Sequence, residues 1–166
     1  MRAYIGCMAC YNVGALVGQW VDAIDAGDVT IADLHDGKAC KHGNEELWCY
    51  DTESLGVGEC SPGEAAERAR VLASVDDPDA LLAYVSDIGC DLAHAKRKFE
   101  EAYEGTHDSG ADFAKQLADD LGGMPRSLRW PFTCIDWQAA WRELERGGGF
   151  FAVPCESGGV YVFRSY

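Results

Sequence analysis

From Ser61 to Gly147 the chain runs through one helix start and stop after another, and strand-like sequence lies only outside that stretch. In "SPGE", Ser61 takes the N-cap, Pro62 the first helical position and Glu64 the third. That combination satisfies or removes the free N–H groups at a helix start. Ala65, Ala66, Ala69 and Leu72 then recur at helical spacing. Asp77 and Pro78 repeat the device, with Leu81, Leu82 and Val85 facing inward and Gly89 as the stop. A third stripe, Leu92, Ala95, Phe99, Ala102 and Tyr103, ends at Gly105. Ser109 caps a fourth helix, with Phe113, Leu117 and Leu121 on one face. "MPRSLRWPF" has room for one short helical turn, and Asp136 caps a last helix with Trp137, Ala140, Trp141 and Leu144 inward.

Strands bracket these helices. Arg2–Cys10 reads as a strand, followed by turns at Asn12–Gly14 and Gly18 and a second strand at Gln19–Ala23. Val29–Leu34 reads as a short helix, Asp36–Asn44 as a polar loop and Glu46–Tyr50 as a third strand. At the other end "FFAVP" and "GVYVFRSY" flank "CESGG" as a hairpin. Sheet, helices, sheet is an α+β order. It suggests a small β-sheet-plus-helix subdomain over 1–60, a helical middle over 61–104 and a C-terminal α+β subdomain over 105–166.

Charge is distributed as unevenly as structure. The 166 residues hold 28 Asp and Glu against 14 Lys and Arg, a net −14. Between Asp22 and Asp120 stand 24 acids and 8 bases, whereas from Leu121 onward there are 4 acids and 5 bases. Such a field repels nucleic acid and attracts basic surfaces. With 48% hydrophobic residues the chain nevertheless has enough apolar material for a core. The sequence shows neither an apolar run long enough for a bilayer nor a leader pattern, so a cytoplasmic location, reduced thiols and no membrane partner are expected.

Candidate chemistry is sparse. Cys7 and Cys10 form a CxxC, but no second CxxC follows, and His35, His42, His94 and His107 make no HxxxH. A structural zinc site needs four ligands. On a continuous strand Cys7 and Cys10 would also point to opposite faces. No metal, cofactor or catalytic residue is therefore expected. "THDS" (Thr106–Ser109) is contiguous and cannot converge as a triad does; it reads as a turn that caps the next helix. "KRK" (Lys96–Lys98) has Glu100 and Glu101 four residues on, the spacing of surface helix pairs. "GGG" (Gly147–Gly149) and "SGG" (Ser157–Gly159) lack the partners of a phosphate loop and serve as a helix stop and a hairpin turn. The acids remain. Asp108 and Asp112, like Glu100 and Glu104, are four apart and would repel on a helix. A chain that accepts such repulsion over a hundred residues invites a search for a partner that selects for it.

Five pieces of sequence, in order, resemble the ArdA family of antirestriction proteins. "AYIGCMACYNVGALVGQWVDA" is similar to the family opening through Tyr11, Asn12, Gly14, Leu16, Gly18, Trp20, Val21 and Asp22. "EELWCYDTE" resembles its acidic strand. The central segment is similar through Phe99, Glu100, Ala102, Tyr103, Gly105, Ser109, Phe113 and Ala114. "IDWQAAWREL" and "GGVYVFRSY" resemble the end of the family pattern. "KRK", the basic loop with Lys38 and Lys41, and the eight cysteines depart from it.

The resemblance implies an elongated, acidic homodimer that mimics DNA. Such a protein occupies the DNA-binding groove of a type I restriction–modification enzyme, at its methyltransferase and specificity core. It blocks restriction of incoming mobile DNA, and modification with it, without binding nucleic acid and without catalysis. The neutral last quarter suits a dimer contact. Two chains would carry −28, the charge of about 48 Å of duplex at one charge per about 1.7 Å. Helix faces nominate the target-binding acids: Asp25, Asp28, Glu64 and Glu67; Asp79 and Asp87; Glu100, Glu101 and Glu104; Asp108, Asp112, Asp119 and Asp120. Two other readings fit the same features, an acidic inhibitor of another basic nucleic-acid-binding protein and a metal-binding adaptor built on Cys7 and Cys10.

Overall fold

The computed structural model describes residues 1–43, 46–123, 129–130 and 132–165. It is an α+β fold with two three-stranded antiparallel sheets among the described residues. The chain divides into two compact units, Met1–Pro78 and Asp79–Tyr166.

In the first unit β1 (Arg2–Cys7) lies between β2 (Gly18–Asp22) and β3 (Leu47–Glu53). Ala3 pairs with Val21 on one side and Thr52 on the other. Ala3, Ile5 and Cys7 point into the core, following the two-residue period of a strand. The strand is shorter than the sequence suggests. It stops at Cys7, and α1 (Met8–Asn12) follows at once. The chain reverses here through bonds from Val13 N and Ala15 N to the Cys10 carbonyl (3.1 and 2.9 Å), and from Cys7 N to the Val17 carbonyl (2.9 Å). That reversal is what allows β2 to return alongside β1. Gly18 is fixed by contact: a Cβ there would lie 2.7 Å from the Ile5 carbonyl oxygen.

Asp22 accepts from Ile24 N (3.3 Å) and starts a 3-10 segment, Ala23–Asp28. Thr30 and Asp33 then form a reciprocal capping box at the start of α2 (Ile31–Leu34). The hydroxyl and N–H of Thr30 hold the Asp33 carboxyl below its ordinary range. Ser61 caps α3 (Pro62–Leu72) by accepting from Glu64 N at 3.1 Å. Ala65, Ala66, Ala69 and Leu72 are buried as expected. Their small side chains let α3 lie on the 3-10 segment, where Ala23 and Ala26 are also fully buried. The helix that opens at Ser61 thus closes the N-terminal sheet, and the first compact unit runs on to Pro78.

The second unit contains α4 (Pro78–Ile88) from Asp79 onward, α5 (Leu92–Ala102), β4 (Tyr103–His107) and α6 (Gly110–Asp120). A 3-10 turn (Phe132–Cys134), α7 (Trp137–Arg146), β5 (Phe150–Pro154) and β6 (Val160–Arg164) complete it. The expected hairpin is present, joined by β4 in the order β4-β6-β5. β4 differs from the expectation of a helix running to Gly105. Tyr103 pairs with Phe163 in the sheet, and an irregularity between Tyr103 and Gly105 admits the strand. Phe163 is fully buried. Ring centroids of Phe151, Tyr84 and Tyr103 lie 5.1, 5.2 and 5.6 Å from its own. This cluster explains a second difference: α4 buries Ala80, Leu81 and Tyr84, while Leu82 and Val85 are only half-buried. A further core packs α6 on α7 through Phe113, Ala114 and Trp141 against Val162. Leu121 falls just past α6 and is exposed. The short turn expected in "MPRSLRWPF" falls partly on residues 124–128 and 131, outside the described residues; its end forms the 3-10 turn.

Candidate functional site

Of the thirteen nominated acids, all but Glu104 are exposed. Asp25 and Asp28 sit on the 3-10 segment, and Glu64 and Glu67 on the helix packed against it. Asp79 lies in the first turn of α4, where a negative charge suits the helix dipole. The acids at the other helix ends do not. Asp87 lies in the last turn of α4, Glu100 and Glu101 in that of α5, and Asp119 and Asp120 in that of α6. None of these last turns carries a basic residue. Helix C-termini favour cations, so three successive helices place acids where local stability opposes them.

Two expected repulsions are absent from the fold. Glu104 is on β4, beyond the end of α5, and its carboxylate accepts from Arg164 Nη2 and Nε at 2.6 and 2.9 Å. Asp108 precedes the cap of α6, and Asp112 accepts from the Ser109 hydroxyl at 2.5 Å. Lys96 pairs with Glu100 at 3.5 Å, so part of "KRK" is bound within its own helix. Ser109 caps α6 by accepting from Asp112 N (3.2 Å), as "THDS" suggests, while Thr106 and His107 belong to β4.

A second constellation was not legible from spacing. Cys7, Cys10, His35 and Cys40 bring their ligand atoms within 4.8 Å of one another. Cys7 closes β1, Cys10 stands on α1, His35 is the C-cap of α2 and Cys40 comes from the following loop. Since the strand ends at Cys7 and the helix turns Cys10 back, the two thiols converge and do not point to opposite faces. Cys7 and Cys10 lie 3.6 Å from Cys40, and Cys10 lies 3.8 Å from His35 Nε2. All three cysteines are buried and reduced, under Val17, Ile31, Leu34 and Leu47. Burial pushes the Cys10 thiol up to about 12, helped by its bonds to Cys40 and Cys7. The backbone N–H of His42, 3.4 Å from Cys40 Sγ, holds Cys40 below the usual thiol range. The signal that could have found this group is a mixed pair, His35-x4-Cys40, behind the CxxC.

The residues that shape the N-terminal motif have plain structural roles. Tyr11 stacks on Tyr50 with centroids 4.6 Å apart, Trp20 meets Tyr4 edge-on at 5.6 Å, and Arg2 lies over the Trp20 ring. The family model for the antirestriction protein ArdA matches residues 3–156. The chain belongs to the ArdA family. Membership spans both units and supports an antirestriction function, that of an inhibitor family and not a known enzyme family. It implies interaction with restriction enzymes. No curated protein sequence matches the chain significantly. Among the described residues, no helix of this ArdA-family protein is long and apolar enough to cross a membrane.

Proposed function

We propose that the protein inhibits type I restriction–modification enzymes as a homodimeric DNA mimic, acting in the cytoplasm on incoming mobile DNA. The observation that carries the reading is the placement of exposed acids at the C-terminal turns of α4, α5 and α6. Lys96 offsets part of this cost at Glu100, but Asp87, Asp119 and Asp120 stand against the dipoles of their own helices, and an external, basic surface accounts for them. Exposed carboxylates meet the Lys and Arg that a DNA-binding groove offers to phosphates, by charge complementarity and without a bond made or broken. Trp130 and Phe132 are exposed apolar residues in the near-neutral last quarter, where two chains meet without mutual repulsion.

The test is competition. A type I methyltransferase core is mixed with labelled DNA and increasing protein at several salt concentrations. DNA is displaced at low salt, and displacement weakens as salt screens the exposed charges. Replacing Asp119 and Asp120 together by Lys leaves the fold intact and weakens competition on the order of tenfold, about 1.4 kcal/mol. Failure to displace DNA at low salt refutes the reading. Capture of a different basic nucleic-acid-binding protein, with no effect on the methyltransferase, moves it to that target.

A further inference from the structure

We propose that Cys7, Cys10, His35 and Cys40 bind one zinc ion in a closed, structural, tetrahedral site. Zinc takes thiolate sulfur at about 2.3 Å and imidazole nitrogen at about 2.0–2.1 Å. The edges of such a tetrahedron are about 3.8 Å between sulfurs and about 3.6 Å between sulfur and nitrogen. The protein sets Cys7 and Cys10 each 3.6 Å from Cys40, and Cys10 3.8 Å from His35 Nε2. These three edges have coordination-polyhedron spacing, and all four ligand atoms lie within 4.8 Å of one another. A disulfide would bring two sulfurs to about 2.05 Å, and all three thiols are free.

The ligand count and the surroundings select the metal and its role. Three thiolates and one imidazole in a tetrahedron are a zinc donor set. Cys7 and Cys10 are 1% and 3% exposed and Cys40 is 8% exposed, beneath an apolar cover from Val17, Ile31, Leu34 and Leu47. With four protein ligands and no open position, the site is structural. The His42 N–H directed at Cys40 Sγ is the donor that a bound thiolate accepts. Three thiolates on a dication leave a charge of −1, and Lys38 and Lys41, both exposed, stand on either side of Cys40 in the chain. On this account the loop's basic residues and four cysteine-or-histidine positions have one cause. The ion ties the segment from Thr30 to Gly43, which holds only four helical residues, to the end of β1.

The inference is independent of the target of inhibition, and its readout is metal. Protein purified without chelator is assayed for metal content, and about one zinc per chain is expected. Metal-free protein refolded with cobalt(II) should show the intense visible bands of tetrahedral cobalt and thiolate-to-cobalt charge transfer. Cys40→Ser and His35→Ala should each lose or greatly weaken the metal, while Cys134→Ser, at an exposed cysteine outside the group, should keep it. Wild-type protein that is zinc-free as purified and gives no tetrahedral cobalt spectrum overturns the proposal. So does zinc retained in full by Cys40→Ser and His35→Ala together, which would place the ion elsewhere. Because the cobalt titration uses the wild-type chain, a variant that fails to fold leaves the proposal decidable.

Discussion

Replacing Phe163 by Ala tests the packing of the second unit most directly. Phe163 is fully buried on β6, with Phe151, Tyr84 and Tyr103 at ring distances of 5.1–5.6 Å. An aromatic side chain buries about 150–250 Å², which at about 25 cal/mol per Å² is about 4–6 kcal/mol of transfer. The Cβ remains in alanine, but the cavity left among rigid rings relaxes poorly, and such truncations cost about 3–5 kcal/mol. Taking about 4 kcal/mol and a urea dependence of about 2 kcal/mol/M, the unfolding midpoint falls by about 2 M. Far-UV circular dichroism is the appropriate probe, because α4–α7 hold most of the helix among the described residues. Leu121→Ala is the control: Leu121 is 78% exposed, so its loss changes stability by under about 0.5 kcal/mol. If Phe163→Ala moved the helical transition no further than Leu121→Ala, the aromatic cluster would not be the core of this unit.

Two further outcomes follow from local geometry. Gly110→Ala places a Cβ 2.4 Å from the buried Trp141 ring, so the first turn of α6 or the tryptophan must shift; a loss of about 1–3 kcal/mol in urea unfolding is expected, and an unchanged midpoint would refute the contact. Asp91 caps α5 by accepting from Ala93 N and His94 N, and the His94 side chain beside it is the main cause that holds its carboxyl below 3.8. A depressed folded-state value means that the cap's stabilisation is present above the unfolded value and is lost as pH falls through the folded one. Acid unfolding of Asp91→Asn should therefore show a smaller stability loss below about pH 4 than wild type; equal losses would refute the assignment.

Much of the helical layout was legible because local chemistry specifies it. Ser61, Ser109 and Asp136 each carry an oxygen that reaches a backbone N–H two or three residues into the helix, and each cap stands where the sequence places it. β4 was not legible. Tyr103 continues the apolar stripe of α5 as well as it fits a strand, and only the edge offered by β6 decides between them. Tyr84 was passed over for Leu82 and Val85 because periodicity gives a face without saying which of its members meets a distant aromatic residue.

The acids show the same limit from the functional side. Their number and their concentration before Leu121 follow from the sequence, but their positions at opposed helix ends required the helix boundaries. The cysteine group is the sharpest case. A strand running to Cys10 would have sent Cys7 and Cys10 to opposite faces, and the chain reversal after Cys7 turned them together.

By itself, the sequence determined the α+β order, the capped helices, the family and the acidic field, because these depend on neighbouring residues or on sums over the chain. The tertiary structure alone decided that Cys7, Cys10, His35 and Cys40 share one buried point and that α3 closes the N-terminal sheet. Convergence of groups 25 to 33 residues apart depends on where the backbone turns, and that is set by strand pairing and packing between segments distant in the chain.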